Sequence, residues 1–264
     1  MNNKRQLPIS EYQKRFFLEF ALAPNESIYN YSFVKKITGN LDRKALKQVC
    51  EVFIERNEIV HAQYSKDGEY CDYVDFCIDD FYCESTFKSN QPIESQIKEF
   101  LYEPFDLTQG PLLKLHLIRN NDNNKLEHYF FFVAHHIICD AVWVLQFFNQ
   151  IQNNYNLLVK GGEVSKKIDQ TFTQAVEAEN LFLDQDYKTK AQKFWLHLIG
   201  DTSLKVNLPY RSDADVVNLD NMLADKTGEF IYFDLTGAQT LQLRAYAQQK
   251  GTTVFVVLSA LYAL

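Results

Sequence analysis

A short apolar run followed directly by a helical pattern constrains the middle of this chain most strongly. Residues 130–134 are almost wholly apolar, which is typical of a strand buried on both faces. From residue 142 to residue 158, apolar side chains recur at helical spacing. Residues 135–140, His-His-Ile-Ile-Cys-Asp, lie between them. The two histidines and the aspartate are therefore predicted to lie on a strand–loop–helix junction, where a rigidly held side chain can still reach a cleft.

The order of elements along the rest of the chain predicts a mixed α/β fold, an α+β sandwich in which helices flank a mixed sheet. Periodicity predicts strands at 28–38, 59–64, 70–78, 113–117 and 229–235, and helices at 41–53, 93–102, 142–158, 169–195 (interrupted), 237–249 and 253–264. The sequence Lys66-Asp67-Gly68 predicts a hairpin turn. A polar turn at 120–124 predicts that the 113–117 strand pairs antiparallel with the histidine strand. Residues 204–221 form a polar connection.

Charge and hydropathy exclude several classes of protein. The net charge is -7 and there is no long basic run, which argues against nucleic acid as a partner. No segment approaches the ~20 apolar residues of a membrane helix, and the polar start at Met1 predicts no signal peptide. The five cysteines form no Cys-x-x-Cys pair, which favours free thiols. We expect a cytoplasmic protein whose partner is a small molecule or another protein.

The histidine motif resembles the His-His-x-x-x-Asp-Gly signature of the condensation domains of nonribosomal peptide synthetases, relatives of chloramphenicol acetyltransferase. Residues 10–17 are similar to the family's opening Ser-x-Ala-Gln-x-Arg-Leu-Trp, and residues 56–61 are similar to its Arg-His-Glu-x-Leu-Arg. Phe194-Trp195 with Leu208-Pro209 resembles the segment between the family's two lobes, and residues 252–255 resemble the entry to the second lobe. These matches occur in the family's order along nearly the whole chain.

The resemblance implies an acetyltransferase-like N-terminal lobe over residues 1–185. It implies an interlobe crossover over residues 186–227, and the opening strand and helices of a second lobe over residues 228–264. Because the family's domain is about twice as long, we expect this chain to be its N-terminal half. The uncapped apolar helix at the end of the chain favours the same interpretation.

The resemblance also implies a reaction, in which the amine of one carrier-bound aminoacyl group attacks an acyl thioester on another carrier. The phosphopantetheine arms enter a tunnel between the lobes from opposite ends, and no cofactor is bound directly. Donor and acceptor carrier domains and neighbouring synthetase domains are the implied partners. His136 corresponds to the residue in the middle of the tunnel, either as a base or as a group that positions the amine. The chain alone is expected to be inactive.

Four further residues are predicted to support His136. His135 would point away from His136 on an extended backbone, which favours a packing or hydrogen-bonding role. Asp140 is predicted to cap the following helix. The resemblance also implies that Asp140 is buried and paired with an arginine, for which Arg56 and Arg15 are the candidates.

Two departures from the family's motifs bear on activity. Ala141 stands where the family has glycine and adds a methyl group to a narrow part of the tunnel, and His61 replaces an arginine. These departures favour a catalytically silent module that recruits carrier proteins as an alternative, and an epimerisation relative stays open. The histidines argue against a cyclisation domain, which has aspartates there.

The sequence disfavours two other kinds of chemistry at the motif. A metal site at His135, His136 and Asp140 is disfavoured because adjacent histidines diverge and no third ligand at helical spacing accompanies them, so no metal is predicted. A nucleophilic role for Cys139 is disfavoured because apolar surroundings raise the pKa of a thiol.

Overall fold

The computed structural model describes residues 5–87, 93–120, 126–200 and 234–263. The chain divides into two compact units, residues 1–200 and residues 201–264. The first unit contains a four-stranded sheet of order β2-β7-β6-β5 and a three-stranded sheet of order β1-β4-β3. The strands are β1 (Gln6–Leu7), β2 (Asn30–Thr38), β3 (Ala62–Tyr64), β4 (Cys71–Tyr73), β5 (Tyr82–Thr86), β6 (Leu113–Asn120) and β7 (Glu127–His135).

The strand that carries the histidine motif lies inside the larger sheet. Strand β7 pairs antiparallel with β2 on one side and with β6 on the other, and β5 adds to β6 in parallel. The sheet is therefore mixed, as predicted. The smaller sheet is antiparallel throughout.

Helices cover the sheets, and local sequence explains where several of them begin. The helices of the first unit are α1 (Glu11–Leu22), α2 (Arg43–Arg56), α3 (Ile78–Phe81), α4 (Ile93–Tyr102), α5 (Ala141–Leu158), α6 (Thr171–Phe182) and α7 (Gln185–Ile199), and the second unit has α8 (Gly237–Gln249) and α9 (Val254–Tyr262). Ser10 and Gln13 form a capping box at the start of α1. Asp42 and Asp140 cap α2 and α5 by accepting backbone N–H bonds.

An aromatic core fixes α5 against the sheet. Phe147 of α5 is fully buried, and its ring centroid lies 4.8 Å from that of Phe53 in α2 and 4.9 Å from that of Phe132 in β7. Both pairs are in the range of favourable aromatic contacts. The start of α5 is thereby held close to the end of β7, which is where the histidine motif lies.

Most of the predicted elements are confirmed. The histidine strand, helix α5, the 66–68 hairpin and the antiparallel pairing of β6 with β7 are present. The strand predicted from residue 59 is wrong in its first half, where Glu58–His61 is a 3-10 helix. Periodicity cannot distinguish the two states in a fully buried run of this length. The connection at 204–221 and residues 229–233 of the last predicted strand lie outside the described residues.

In the part of the chain that the structure describes, no helix is long and apolar enough to cross a membrane. The predicted lobe boundaries at residues 185 and 227 stay predictions.

Candidate active site

The loop after β7 is held in place by its own backbone and by the residue that precedes β2. His136 donates its backbone N–H to the carbonyl of Tyr29 at 2.8 Å. The backbone N–H of Ile138 donates to the carbonyl of His135 at 3.1 Å, which closes a turn over residues 136–138. The backbone of His136 therefore has a fixed position at the edge between sheet and helix.

A buried side-chain amide attaches helix α1 to this loop. Gln13 is 4 % exposed, and its Nε2 donates to the carbonyl of Ile137 at 3.1 Å and to the hydroxyl of Tyr64 at 2.9 Å. Its Oε1 accepts from the backbone N–H of Ser10 at 3.0 Å. The sequence motif includes Gln13, but its long-range partners could not be found from spacing.

The ring of His136 is held by aromatic packing. It is half-buried and stacks on Phe16, with ring centroids 5.2 Å apart and an angle of 20° between the planes. Tyr31 contacts it from a second direction, at 5.2 Å between centroids. The Nδ1 atom is buried and has no hydrogen-bond partner among the described residues. No carboxylate there orients the ring through Nδ1, in contrast to the histidine of a Ser-His-Asp triad.

Two cavities meet at His136, and they differ in chemical character. The first has a volume of about 290 Å³ and is lined by Tyr12, Arg15, Phe16, Glu19, Tyr29 and His136. The second has a volume of about 200 Å³ and is lined by Ser10, Tyr12, Gln13, His136, Ile137, Ile138, Cys139, Asp140, Trp143 and Phe172. The first cavity carries two opposite charges, whereas the lining of the second is mostly apolar. Only His136 and Tyr12 line both.

Tyr29 lines the first cavity, and the groups around it shift its pKa. Burial raises the pKa of Tyr29, and the negative charge of Glu19 together with a hydrogen bond to it raises the pKa further. The positive charge of Arg15 acts in the opposite direction. Arg15 is exposed, and its guanidinium carbon lies 6.0 Å from the ring centroid of Tyr12. Arg15 therefore lies beside the cavity of His136, near Glu19 and Tyr29.

His135 is the buried, neutral histidine of the motif. Its Nδ1 accepts the backbone N–H of Ile137 at 3.1 Å, which assigns the ring proton to Nε2. Burial, and then the charge of His136, lower the pKa of His135 to about 4. Because β7 ends at His135, the extended backbone assumed in the prediction does not continue, and both histidine rings contact Phe16.

Asp140 caps helix α5. Its Oδ1 accepts the backbone N–H of Trp143 at 2.7 Å, as the capping prediction requires. The expectation that Asp140 is buried is wrong, because the side chain is exposed. Within the described residues no salt bridge joins it to an arginine, so the predicted pairing with Arg56 or Arg15 is absent from this structure.

Arg56 and Ala141 lie away from the two cavities. The Nε of Arg56 donates to the carbonyl of Lys167 at 2.8 Å. Hydrogen bonds from Thr171, and to a smaller extent the charge of Arg56, lower the pKa of Asp169 against the effect of burial. Ala141 is exposed at the first position of α5 and lines neither cavity. The methyl group of Ala141 therefore does not narrow the space beside His136 in this structure.

His61 has a local structural environment. It is 2 % exposed, and its ring nitrogens lie 2.9 Å from the carbonyl oxygen of Val74 and 3.1 Å from that of Ile54. Its ring stacks on Tyr73 at 4.7 Å. His61 thus joins the end of α2 to the chain after β4.

Metal binding and thiol chemistry depend on the side chains that surround the motif. No group of three histidine, cysteine, aspartate or glutamate side chains within the described ranges could hold a metal ion. Burial raises the pKa of the Cys139 thiol to about 12, which leaves it protonated at neutral pH.

Comparison with known proteins identifies the family to which this chain belongs. The family model described as "Condensation domain" matches residues 3–264, and the chain belongs to that family. Bacitracin synthase 3 of Bacillus licheniformis is 24% identical over 265 residues, and surfactin synthase subunit 1 of Bacillus subtilis (strain 168) is 25% identical over 259 residues. The matches cover 100% and 97% of this chain, but only 4% and 7% of those synthetases.

Solved structures show the same fold. The X-domain from teicoplanin biosynthesis, solved in complex with OxyB, matches with a TM-score of 0.66 and 18% identity over 79% of this chain and 46% of that chain. The starter condensation domain of rhizomide synthetase matches with a TM-score of 0.62 and 17% identity over 76% of this chain and 49% of that chain. The chain therefore spans about half the length of the solved domains that it matches. The acetyltransferase-like α/β fold predicted from the sequence is confirmed.

The lowered pKa of His135 predicts how stability depends on pH. Because the folded pKa of about 4 lies below the ordinary value of 6.5, the unfolded state binds more protons between these values, and stability falls as the pH is lowered through this window. The shift corresponds to a loss of about 3 kcal/mol at most. His135→Asn, whose side-chain oxygen can still accept from Ile137, should remove this part of the loss. Urea unfolding of both proteins between pH 7 and about pH 4 measures it; identical pH profiles would contradict the account.

Proposed function

We propose that this chain forms the His136 side of a condensation active site, in which an amine and a carrier-bound acyl thioester give an amide. In this reaction a C–N bond forms, the C–S bond to the donor carrier breaks, and the amine loses one proton as the carrier thiol is released. The observation that carries the proposal is the position of His136 between two cavities of different chemical character. Membership of the condensation-domain family supports the same reaction.

The chemical character of the two cavities suggests which substrate each one binds. Glu19 lines the first cavity together with Arg15, and the carboxylate of Glu19 would accept a hydrogen bond from the α-amine of an aminoacyl group, which is partly protonated at neutral pH. The second cavity, lined by Ile138, Trp143 and Phe172, suits the acyl chain of the donor. We therefore assign the first cavity to the amine acceptor and the second to the acyl donor, each presented on the phosphopantetheine of a carrier protein.

The surroundings of His136 favour positioning of the amine over proton abstraction. If His136 accepted the proton, the imidazolium would leave a charged N–H at the buried, unpartnered Nδ1. An unpaired buried group costs about 1–3 kcal/mol, and more when it is charged. In the neutral ring the Nδ1 hydrogen is also unpaired but carries no positive charge, so the larger cost is avoided, and Nε2 can accept a hydrogen bond from the amine and hold the nitrogen in line with the thioester carbon. The amine proton then leaves with the thiolate or with water.

A second candidate function is the recruitment of carrier proteins without catalysis. It is favoured by one observation, the exposed Asp140, which pairs with no arginine among the described residues. The first experiment below distinguishes the two candidates, because a recruitment module does not need His136.

Substitution of His136 tests the catalytic proposal. In a complete condensation domain that contains this sequence, His136→Ala should lower the rate of amide formation by roughly 10²-fold, because the group that holds the amine in place is lost. His197→Ala, at an exposed histidine of α7, is the matched control and should leave the rate unchanged.

The rate of amide formation from loaded carriers, followed by mass spectrometry, measures both variants. An unchanged rate in His136→Ala would favour the recruitment module. The 264-residue chain assayed alone should give no amide, because it spans about half of the solved domains that it matches.

Substitution of Glu19 tests the assignment of the cavities. Glu19→Gln should raise the KM for the aminoacyl acceptor about two- to fivefold, as expected when one exposed charge pair is lost, and leave the KM for the acyl donor unchanged. Glu11→Gln is a control on the same helix, because Glu11 pairs with Lys188 at 2.9 Å and lies outside both cavities. Steady-state kinetics with each substrate varied in turn measures the effect. A change confined to the donor would reverse the assignment.

A further inference from the structure

A third cavity lies between helices α2 and α5 and the edge strand β2, and it shares no residue with the two cavities at His136. It has a volume of about 360 Å³, within the range of small-molecule sites. Apolar side chains form most of its lining: Ile37, Leu41, Leu46, Phe130, Phe148 and Ile151. Leu46, Phe130 and Ile151 are themselves buried, so the interior of the cavity is apolar.

A cation without a carboxylate partner stands at this cavity. Lys35 is exposed, and its ammonium nitrogen lies 5.3 Å from the ring centroid of Phe148, which lines the cavity. No described carboxylate forms a salt bridge with Lys35. By contrast, the next residue, Lys36, pairs with Glu127 at 2.8 Å. Lys35 is therefore available to an anion at the cavity.

A tyrosine adds a second polar group to the lining. The phenol oxygen of Tyr155 accepts the backbone N–H of Asp42 at 2.9 Å, which leaves the hydroxyl hydrogen able to donate. The carboxylate of Asp42 does not compete for Lys35, because it caps α2 by accepting the backbone N–H of Ala45 at 3.0 Å. The second lysine of the lining, Lys36, is paired with Glu127, so one available cation and one hydroxyl donor accompany an apolar interior.

We propose that this cavity binds a straight-chain fatty carboxylate. The carboxylate would pair with Lys35 and accept from the hydroxyl of Tyr155, and the hydrocarbon chain would occupy the apolar interior. The combination of groups argues for this class of ligand. A neutral hydrocarbon leaves Lys35 unused, and a small inorganic anion leaves the apolar interior unfilled. The site is independent of the proposed condensation reaction, since none of its residues lies at His136.

Isothermal titration calorimetry of the 264-residue chain with hexanoate, octanoate and decanoate, each below its micelle concentration, tests the proposal. Each added CH₂ should tighten binding about fourfold until the cavity is filled. Methyl octanoate represents an acyl chain in ester or thioester linkage and should bind at least about threefold more weakly than octanoate, because it cannot pair with Lys35.

Three variants separate the parts of the site. Lys35→Met should reduce the affinity for octanoate to that for the methyl ester, whereas Lys44→Met, the matched control at an exposed lysine of α2 outside the cavity, should leave it unchanged. Leu41→Trp should abolish binding by filling the cavity, and its circular dichroism spectrum should match that of the unmodified chain. Absence of saturable binding, equal binding of acid and ester, or equal effects of the two lysine substitutions would each overturn the proposal.

Discussion

The site depends on the buried amide of Gln13. This one side chain bonds to the start of its own helix, to strand β3 through Tyr64, and to the loop after the histidines through Ile137. A buried amide that lost one of these partners would leave an unpaired polar group, at a cost of about 1–3 kcal/mol. The distance between α1 and the histidine loop is therefore set by hydrogen-bond length. Phe16, one turn further along α1, can then stack on His136.

The two histidines of the loop that Gln13 holds have different roles. His135 is buried, neutral and bonded to the backbone of the loop, so it supports the turn. His136 is half-buried, packed by aromatic rings and shared by two cavities. The absence of a described partner at its Nδ1 explains why we assign it positioning of the amine rather than storage of a proton. One dipeptide thus supplies a fixed support and a side chain that faces the cavities.

The sequence predicted the local structure of the motif but not its long-range contacts. Strand β7 was predicted from a short, almost wholly apolar run, and helix α5 from apolar residues at helical spacing. The partners of Gln13 lie 51 and 124 residues away along the chain, and no local pattern encodes such contacts. The family motif implied that Asp140 is buried. In the structure the carboxylate of Asp140 is exposed and caps the first turn of α5.

Local sequence patterns also do not predict the partners of charged side chains or the positions of cavities. Arg56 was expected near Asp140. Instead, the chain after α5 passes next to Arg56, and the Nε of Arg56 donates to the carbonyl of Lys167. The cavity beside Lys35 depends on helices α2 and α5 meeting strand β2, which periodicity does not show. The Glu58–His61 segment was misassigned because burial on all sides removes the period that distinguishes strand from helix.

The central claim is that His136 positions the amine and does not take its proton. The most direct test compares the rate of amide formation in complete domains with His136, His136→Asn and His136→Ala. An asparagine oxygen can accept a hydrogen bond but cannot act as a base near neutral pH. The account predicts that His136→Asn keeps most of the rate that His136→Ala loses, because the amine is still held. A loss in His136→Asn as large as that in His136→Ala would contradict it.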